Sequence, residues 1–170
     1  MNRRQMITGG ISATALMAGV VGWMVNRTNS GASQSLTMRD TPFEVTHSEA
    51  EWRRILTDTQ YLILREEQTE NRFASPLNGE KRAGTYHCAG CDLPVYDASA
   101  KYDSGTGWPS FHTALENAVG TKQDNTLFVA RIEVHCRRCG GHLGHIFNDG
   151  PEPTGKRHCL NGFALNFRAA

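Results

Sequence analysis

The chain has almost no net charge to offer a partner: 18 lysines and arginines stand against 17 aspartates and glutamates, a formal balance of +1 at pH 7. That lack excludes the basic footprint by which proteins hold polyanions, so no nucleic acid is expected as a partner. Internal repeats and low-complexity tracts are missing as well, which leaves neither a solenoid nor an array to consider. A length of 170 residues leaves room for one ordinary domain and little more, and a monomer is expected.

Acidic residues are missing from the start of the chain. Arg3 and Arg4 precede Ile7 to Val25, nineteen residues without a charge, and a small, polar stretch follows from Asn26 to Ser35. This is the layout of an export signal, and the paired arginines resemble a twin-arginine signal, with Ser30-Gly31-Ala32 as a cleavage candidate. An uncleaved membrane anchor over residues 7–25 is the alternative, since about 17 to 25 apolar residues span a bilayer. Its four glycines and its Ser and Thr residues make the segment only weakly apolar. Residues 1–32 are therefore read as an export signal or anchor, 33–45 as a linker and 46–170 as the domain, with a periplasmic location expected. Without residues 1–32 the chain holds 15 basic and 17 acidic residues, still near neutral.

Past the linker, Ser48-Glu-Ala-Glu51 has the capping-box pattern of a helix start, with Trp52, Ile55 and Leu56 at helical spacing. Thr57 or Asp58 can cap a second short helix carrying Tyr61 to Leu64. Each is too short to stand alone, so both should brace something else. Residues 71–83 read as a loop. Short β-rich runs then follow at Gly84 to Cys88, Leu93 to Tyr96, Thr126 to Val134, His145 to Phe147 and Phe163 to Phe167, separated by turn residues. The expected class is α+β, β-dominant, with antiparallel sheets and short N-terminal helices.

Five cysteines are present, and four form two Cys-x-x-Cys pairs: Cys88 with Cys91, and Cys136 with Cys139. Two intervening residues let both sulfurs of a pair reach one ion, and two such knuckles complete a tetrahedral site with bonds of about 2.3 Å. Gly90, Gly140 and Gly141 suit the tight turns required. About 44 residues separate the pairs, so one structural zinc would join distant segments. Two disulfides or a redox-active dithiol are the competing readings.

That leaves Cys159, preceded by Arg157 and His158. Cationic neighbours lower a thiol's pKa and favour the nucleophilic thiolate, whereas a lone cysteine can equally be a buried structural one. Its context adds more. Ser104-Gly-Thr-Gly-Trp-Pro-Ser-Phe111, Gly140-Gly-His-Leu-Gly-His-Ile-Phe147, Asp149-Gly-Pro151 and Arg157-His-Cys-Leu-Asn161, with the two knuckles, resemble the methionine-R-sulfoxide reductases of the B type. The resemblance covers about residues 46–168. It implies a zinc-stapled, β-tent-like domain that reduces the R epimer of methionine sulfoxide in peptides or proteins.

The resemblance also implies roles. Cys159 is the nucleophile that attacks the sulfoxide sulfur and is left as a sulfenic acid. His145 and His142 match the positions that handle the proton, with His145 favoured as donor and Asp149 able to orient it. Arg157 and Asn161 match positions that stabilise the charged site, and Trp108 the aromatic that receives the substrate methyl. Each has a plainer reading: Trp108 as core, Asp149 as a turn former, Arg157 as a surface charge, the two histidines as further metal ligands. Many relatives carry a recycling cysteine where Thr106 stands, so an external, thioredoxin-like or other thiol reductant is expected here. His158 and Gly162 also depart from the commoner residues of the family. A non-catalytic zinc module and a thiol oxidoreductase using Cys-x-x-Cys remain as competing functions.

Overall fold

The computed structural model describes residues 43–126 and 130–170. The expected export segment or anchor, the linker up to residue 42, and Leu127 and Val129 of the expected 126–134 strand lie outside the described residues. Among the described residues no helix is long and apolar enough to cross a membrane.

Two helices open the domain, α1 (Glu49–Ile55) and α2 (Asp58–Glu66). Both start on full capping boxes: Ser48 with Glu51, and Thr57 with Gln60. These side chains satisfy the amides that a helix start leaves without partners. Trp52 of α1 and Tyr61, Ile63 and Leu64 of α2 are buried. α2 lies on a central strand of the larger sheet, and Arg65 Nη1 donates to the Cys139 carbonyl at 3.1 Å. The helices brace the end of the molecule that carries the four cysteines.

The strands are β1 (Gly84–Cys88), β2 (Pro94–Asp97), β3 (Lys101–Tyr102), β4 (Ser110–Phe111), β5 (Val119–Asp124), β6 (Arg131–Cys136), β7 (His142–Phe147), β8 (Arg157–Leu160) and β9 (Leu165–Ala169). They form two antiparallel sheets, of order β2-β1-β9 and β3-β4-β8-β7-β6-β5. One core lies under both, with Tyr86, Val95, Tyr96, Phe111, Val134, Leu143 and Leu160 fully buried.

Of the anticipated run from Thr126 to Val134, the described part enters a strand at Arg131, which continues to Cys136 and pairs with an earlier strand, Val119–Asp124. That partner is polar because it is the edge strand, with Thr121, Lys122 and Gln123 exposed. On β6 the alternation holds: Val134 enters the core, while Arg131 and Glu133 share the other face. That second face is not simply solvated, since Glu133 is 2% exposed.

Candidate active site

β8 sets the geometry. Alternation along a strand sends Arg157 and Cys159 to one face and His158 and Leu160 to the other. His158 therefore enters the core, where its Nδ1 lies 2.9 Å from the Tyr96 hydroxyl. Burial pushes its pKa down to about 4, so it is neutral at physiological pH. The expected pair of cations beside Cys159 is thus a single cation, Arg157. Its guanidinium forks onto both oxygens of Asp149 at 2.9 Å and lies 4.4 Å from the Phe147 ring centroid.

Cys159 is half-buried, and burial raises its thiol above the ordinary range while Arg157 pulls it back down. Burial wins, contrary to the depressed pKa expected from the neighbouring residues. The Thr106 hydroxyl lies 4.0 Å from Cys159 Sγ, at the end of a hydroxyl chain through Ser104 to Ser110. Since Arg157 is the cation opposing the rise, Arg157→Met should shift Cys159 further up. Each pKa unit lowers the thiolate fraction at neutral pH roughly tenfold. Alkylation of Cys159 followed against pH by peptide mapping reads this, and an unchanged profile would remove Arg157 from the account.

β7 lies beside β8, with His145 opposite Cys159 and Phe147 opposite Arg157. The approach is close at Gly144 (φ +157°), where a Cβ would lie 2.1 Å from the Cys159 carbonyl oxygen. His145 Nε2 lies 2.8 Å from Asp124 Oδ2. Asp149, the residue expected to orient His145, is committed to Arg157 instead. His142 sits behind His145, ring centroids 5.2 Å apart, and is 2% exposed, with Nδ1 3.0 Å from Glu133 Oε1. Lys122 Nζ neutralises the same carboxylate at 2.8 Å.

A cleft of about 160 Å³ opens over Cys159, lined by Trp108, Arg131, His145, Phe147 and Asn161 among others. Its far wall is held by Glu70, which sequence reasoning missed. The Glu70 carbonyl accepts from Trp108 Nε1 at 3.1 Å, its amide donates to Asn161 Oδ1 at 3.0 Å, and its carboxylate accepts from the Phe163 amide at 2.9 Å. Burial pushes this carboxyl above the usual range. The Asn161 Nδ2 donates in turn to the Leu143 carbonyl at 3.3 Å, so this amide is largely spent on backbone at the cleft wall.

The four remaining cysteines meet at the other end. Their sulfurs all lie within 4.8 Å of one another, and sulfurs of different pairs approach to 3.7 Å, Cys88 to Cys139, and 3.5 Å, Cys91 to Cys136. A disulfide needs about 2.05 Å, whereas a tetrahedral ion with bonds of about 2.3 Å sets its sulfurs about 3.8 Å apart. The arrangement fits one metal ion. Cys88 ends β1 of the small sheet, and Cys136 and Cys139 flank the turn from β6 to β7, so an ion held there would join the two sheets. Gly140 provides the left-handed step this turn needs (φ +68°), and its amide donates to the Cys136 carbonyl at 2.9 Å. His142 and His145 lie outside this cluster of candidate ligands.

Residues 56–169 match the family described as the SelR domain. The chain is 48% identical over 125 residues to "Peptide methionine sulfoxide reductase MsrB" of Methanosarcina barkeri, covering 73% of this chain and 88% of that protein. It is 49% identical over 119 residues to the protein of the same name from Pseudomonas putida, covering 69% and 90%. It is 50% identical over 123 residues to "Peptide methionine sulfoxide reductase B1, chloroplastic" of Arabidopsis thaliana, covering 72% and 61%.

Proposed function

The chain belongs to the SelR-domain family of peptide methionine sulfoxide reductases, and from that premise we propose that Cys159 is the atom on which the substrate's oxygen is left. The protein is an oxidoreductase, a peptide-methionine (R)-S-oxide reductase. What supports Cys159 as the reacting group is its position: among the described cysteines it alone stands outside the four-sulfur cluster, in a cleft with an aromatic wall and a histidine.

The thiolate sulfur attacks the sulfoxide sulfur while a proton reaches the sulfoxide oxygen. The S–O bond of the substrate breaks, its sulfur gains two electrons, and methionine leaves. The Cys159 sulfur loses two electrons and holds the oxygen as a sulfenic acid, one proton being taken up for each thiolate consumed. Trp108 and Phe147 give the substrate's methyl and sulfur an aromatic lining, worth about 0.3–1.5 kcal/mol for sulfur on a ring. With Thr106 rather than a thiol near Cys159, recycling falls to an external thiol. That thiol attacks the sulfenic sulfur and expels water, and a second thiol then releases Cys159 and forms the reductant's disulfide. Cys88, Cys91, Cys136 and Cys139 would hold a zinc ion, which would supply a structural crosslink rather than chemistry at the cleft. The signal-like composition of residues 1–32 supports action outside the cytoplasm, on oxidised surface methionines of exported proteins.

The test is an assay on resolved epimers of a peptide sulfoxide with a dithiol reductant. The R form should be consumed and the S form left. Consumption of the S form at a comparable rate would refute this assignment.

A further inference from the structure

Two cavities meet at His145. One is the cleft over Cys159; the other is a polar cavity of about 230 Å³ lined by Glu66, Glu67, Asp124, Thr126 and His142, with Thr69, Arg131 and His145 shared between the two. Asp124 ends β5 and reaches past β6 to place its carboxylate 2.8 Å from His145 Nε2. That carboxylate is itself gripped. The Thr126 hydroxyl and amide donate to Oδ1 at 2.6 and 2.9 Å, and Arg131 Nη2 donates to Oδ2 at 2.6 Å. These donors, Thr126 first, hold Asp124 ionised well below the usual carboxylate range. An ionised carboxylate only accepts, so Nε2 must carry a hydrogen, and Nδ1 is the ring nitrogen left to serve the cleft.

Resting on the reading of Cys159 given above, we propose that Asp124 is a positioning residue for the reduction: it fixes the Nε2–H tautomer of His145 and stabilises the imidazolium whose Nδ1 proton goes to the sulfoxide oxygen. No bond to Asp124 forms or breaks. His145 takes the Cys159 proton, passes it to the sulfoxide oxygen and ends neutral; Cys159 regains a proton from the thiol that releases it.

The groups facing His145 are Asp124, Arg131 and His142, Glu133 opposite it on β6, Cys159 opposite it on β8, and Glu66 and Glu67 across the polar cavity. Burial, with Arg131 and His142, lowers the imidazole pKa, and Asp124 opposes this. Burial also raises the Cys159 thiol. At neutral pH the pair therefore rests as thiol and neutral imidazole, and the reactive thiolate–imidazolium form is a minor arrangement of the same proton count. The acid limb of a bell-shaped rate profile then reports His145 and the alkaline limb Cys159. Removing the Asp124 charge lowers the imidazole pKa. The acid limb should move to lower pH, and the plateau should fall because the reactive arrangement becomes rarer.

The experiment is the pH profile of kcat/KM for the zinc-loaded protein, its Asp124→Asn variant and its Asp124→Glu variant, with an R-sulfoxide peptide. Asn should lower the plateau roughly 10- to 100-fold, at or below the lower end of general-acid contributions because His145 itself is kept, and shift the acid limb downward. Glu should restore the limb and part of the plateau. A merely structural loss would lower the plateau with the limb unmoved, and that result overturns the proposal. Should the Asn variant fail to fold, nitrogen-15 imidazole spectra of the wild-type protein decide alone: neutral His145 should be the Nε2–H tautomer, and Nδ1–H overturns the proposal. Loss of turnover in Cys159→Ser alongside an unmoved Asp124→Asn limb would refute the dyad and leave the reductase reading standing.

Discussion

Replacing Cys159 by serine is expected to lower kcat/KM by at least about 10⁴-fold, the scale on which removing an enzyme's nucleophile acts. A serine hydroxyl keeps the shape of the side chain but ionises far too weakly to attack a sulfoxide sulfur, and its oxygen cannot take up the transferred atom. The other side chains of the cleft have no electrons to lend. In the proposed reaction His145 and Arg157 would move or stabilise charge, and Trp108 would provide surface. Because Cys159 lies outside the four-sulfur cluster, the variant should keep one zinc per chain and melt like the parent. Metal content and thermal unfolding run beside the assay separate a chemical loss from a structural one. Turnover within tenfold of the parent would contradict the nucleophile assignment.

Removing the metal should be the larger structural event. The four sulfurs tie β1 to the β6–β7 turn, and α2 rests on the same end. Structural zinc on thiolates contributes about 10–16 kcal/mol, against a whole-domain stability of about 5–15 kcal/mol. The apo domain should therefore have little or no folded population. Titration with a strong chelator should release one zinc per chain together with loss of the near-ultraviolet signal of the buried Tyr86, Tyr96 and Trp52. Cys136→Ser should give the same unfolded state without chelator. Retention of a cooperative melt near that of the parent, after metal is shown to be gone, would mean that the sheets hold together by packing alone.

The parts of this site that were legible in the sequence are those fixed by local geometry. Each Cys-x-x-Cys pair is one turn, so its spacing declares a shared ligand, and Ser48 and Thr57 declare helix starts for the same reason. Cys159, Trp108 and the histidines were legible through resemblance of short strings. What stayed hidden is made by strand order. Asp124 meets His145 from 21 positions away, a separation that means nothing until β5, β6 and β7 are laid side by side. Glu70 sits among Glu66, Glu67 and Gln68, a run that reads as solvated surface, yet it is 7% exposed. The edge strand β5 carries no apolar alternation, and β8 begins with Arg157 and His158, which are buried although their sequence is polar. The same alternation sent His158 away from Cys159, and no count of neighbouring cations could have shown it.

A single turnover without reductant tests the transfer of oxygen to Cys159 most directly. All five methionines of the chain lie at residues 1–38, so oxygen gained by the domain cannot be hidden on a methionine of its own. Zinc-loaded protein mixed with excess R-sulfoxide peptide should release one methionine per chain and place one oxygen, trapped by a sulfenic-acid reagent, on the peptide containing Cys159. Release of no methionine, or one accompanied by a disulfide from Cys159 to a knuckle cysteine with zinc still bound, would contradict it.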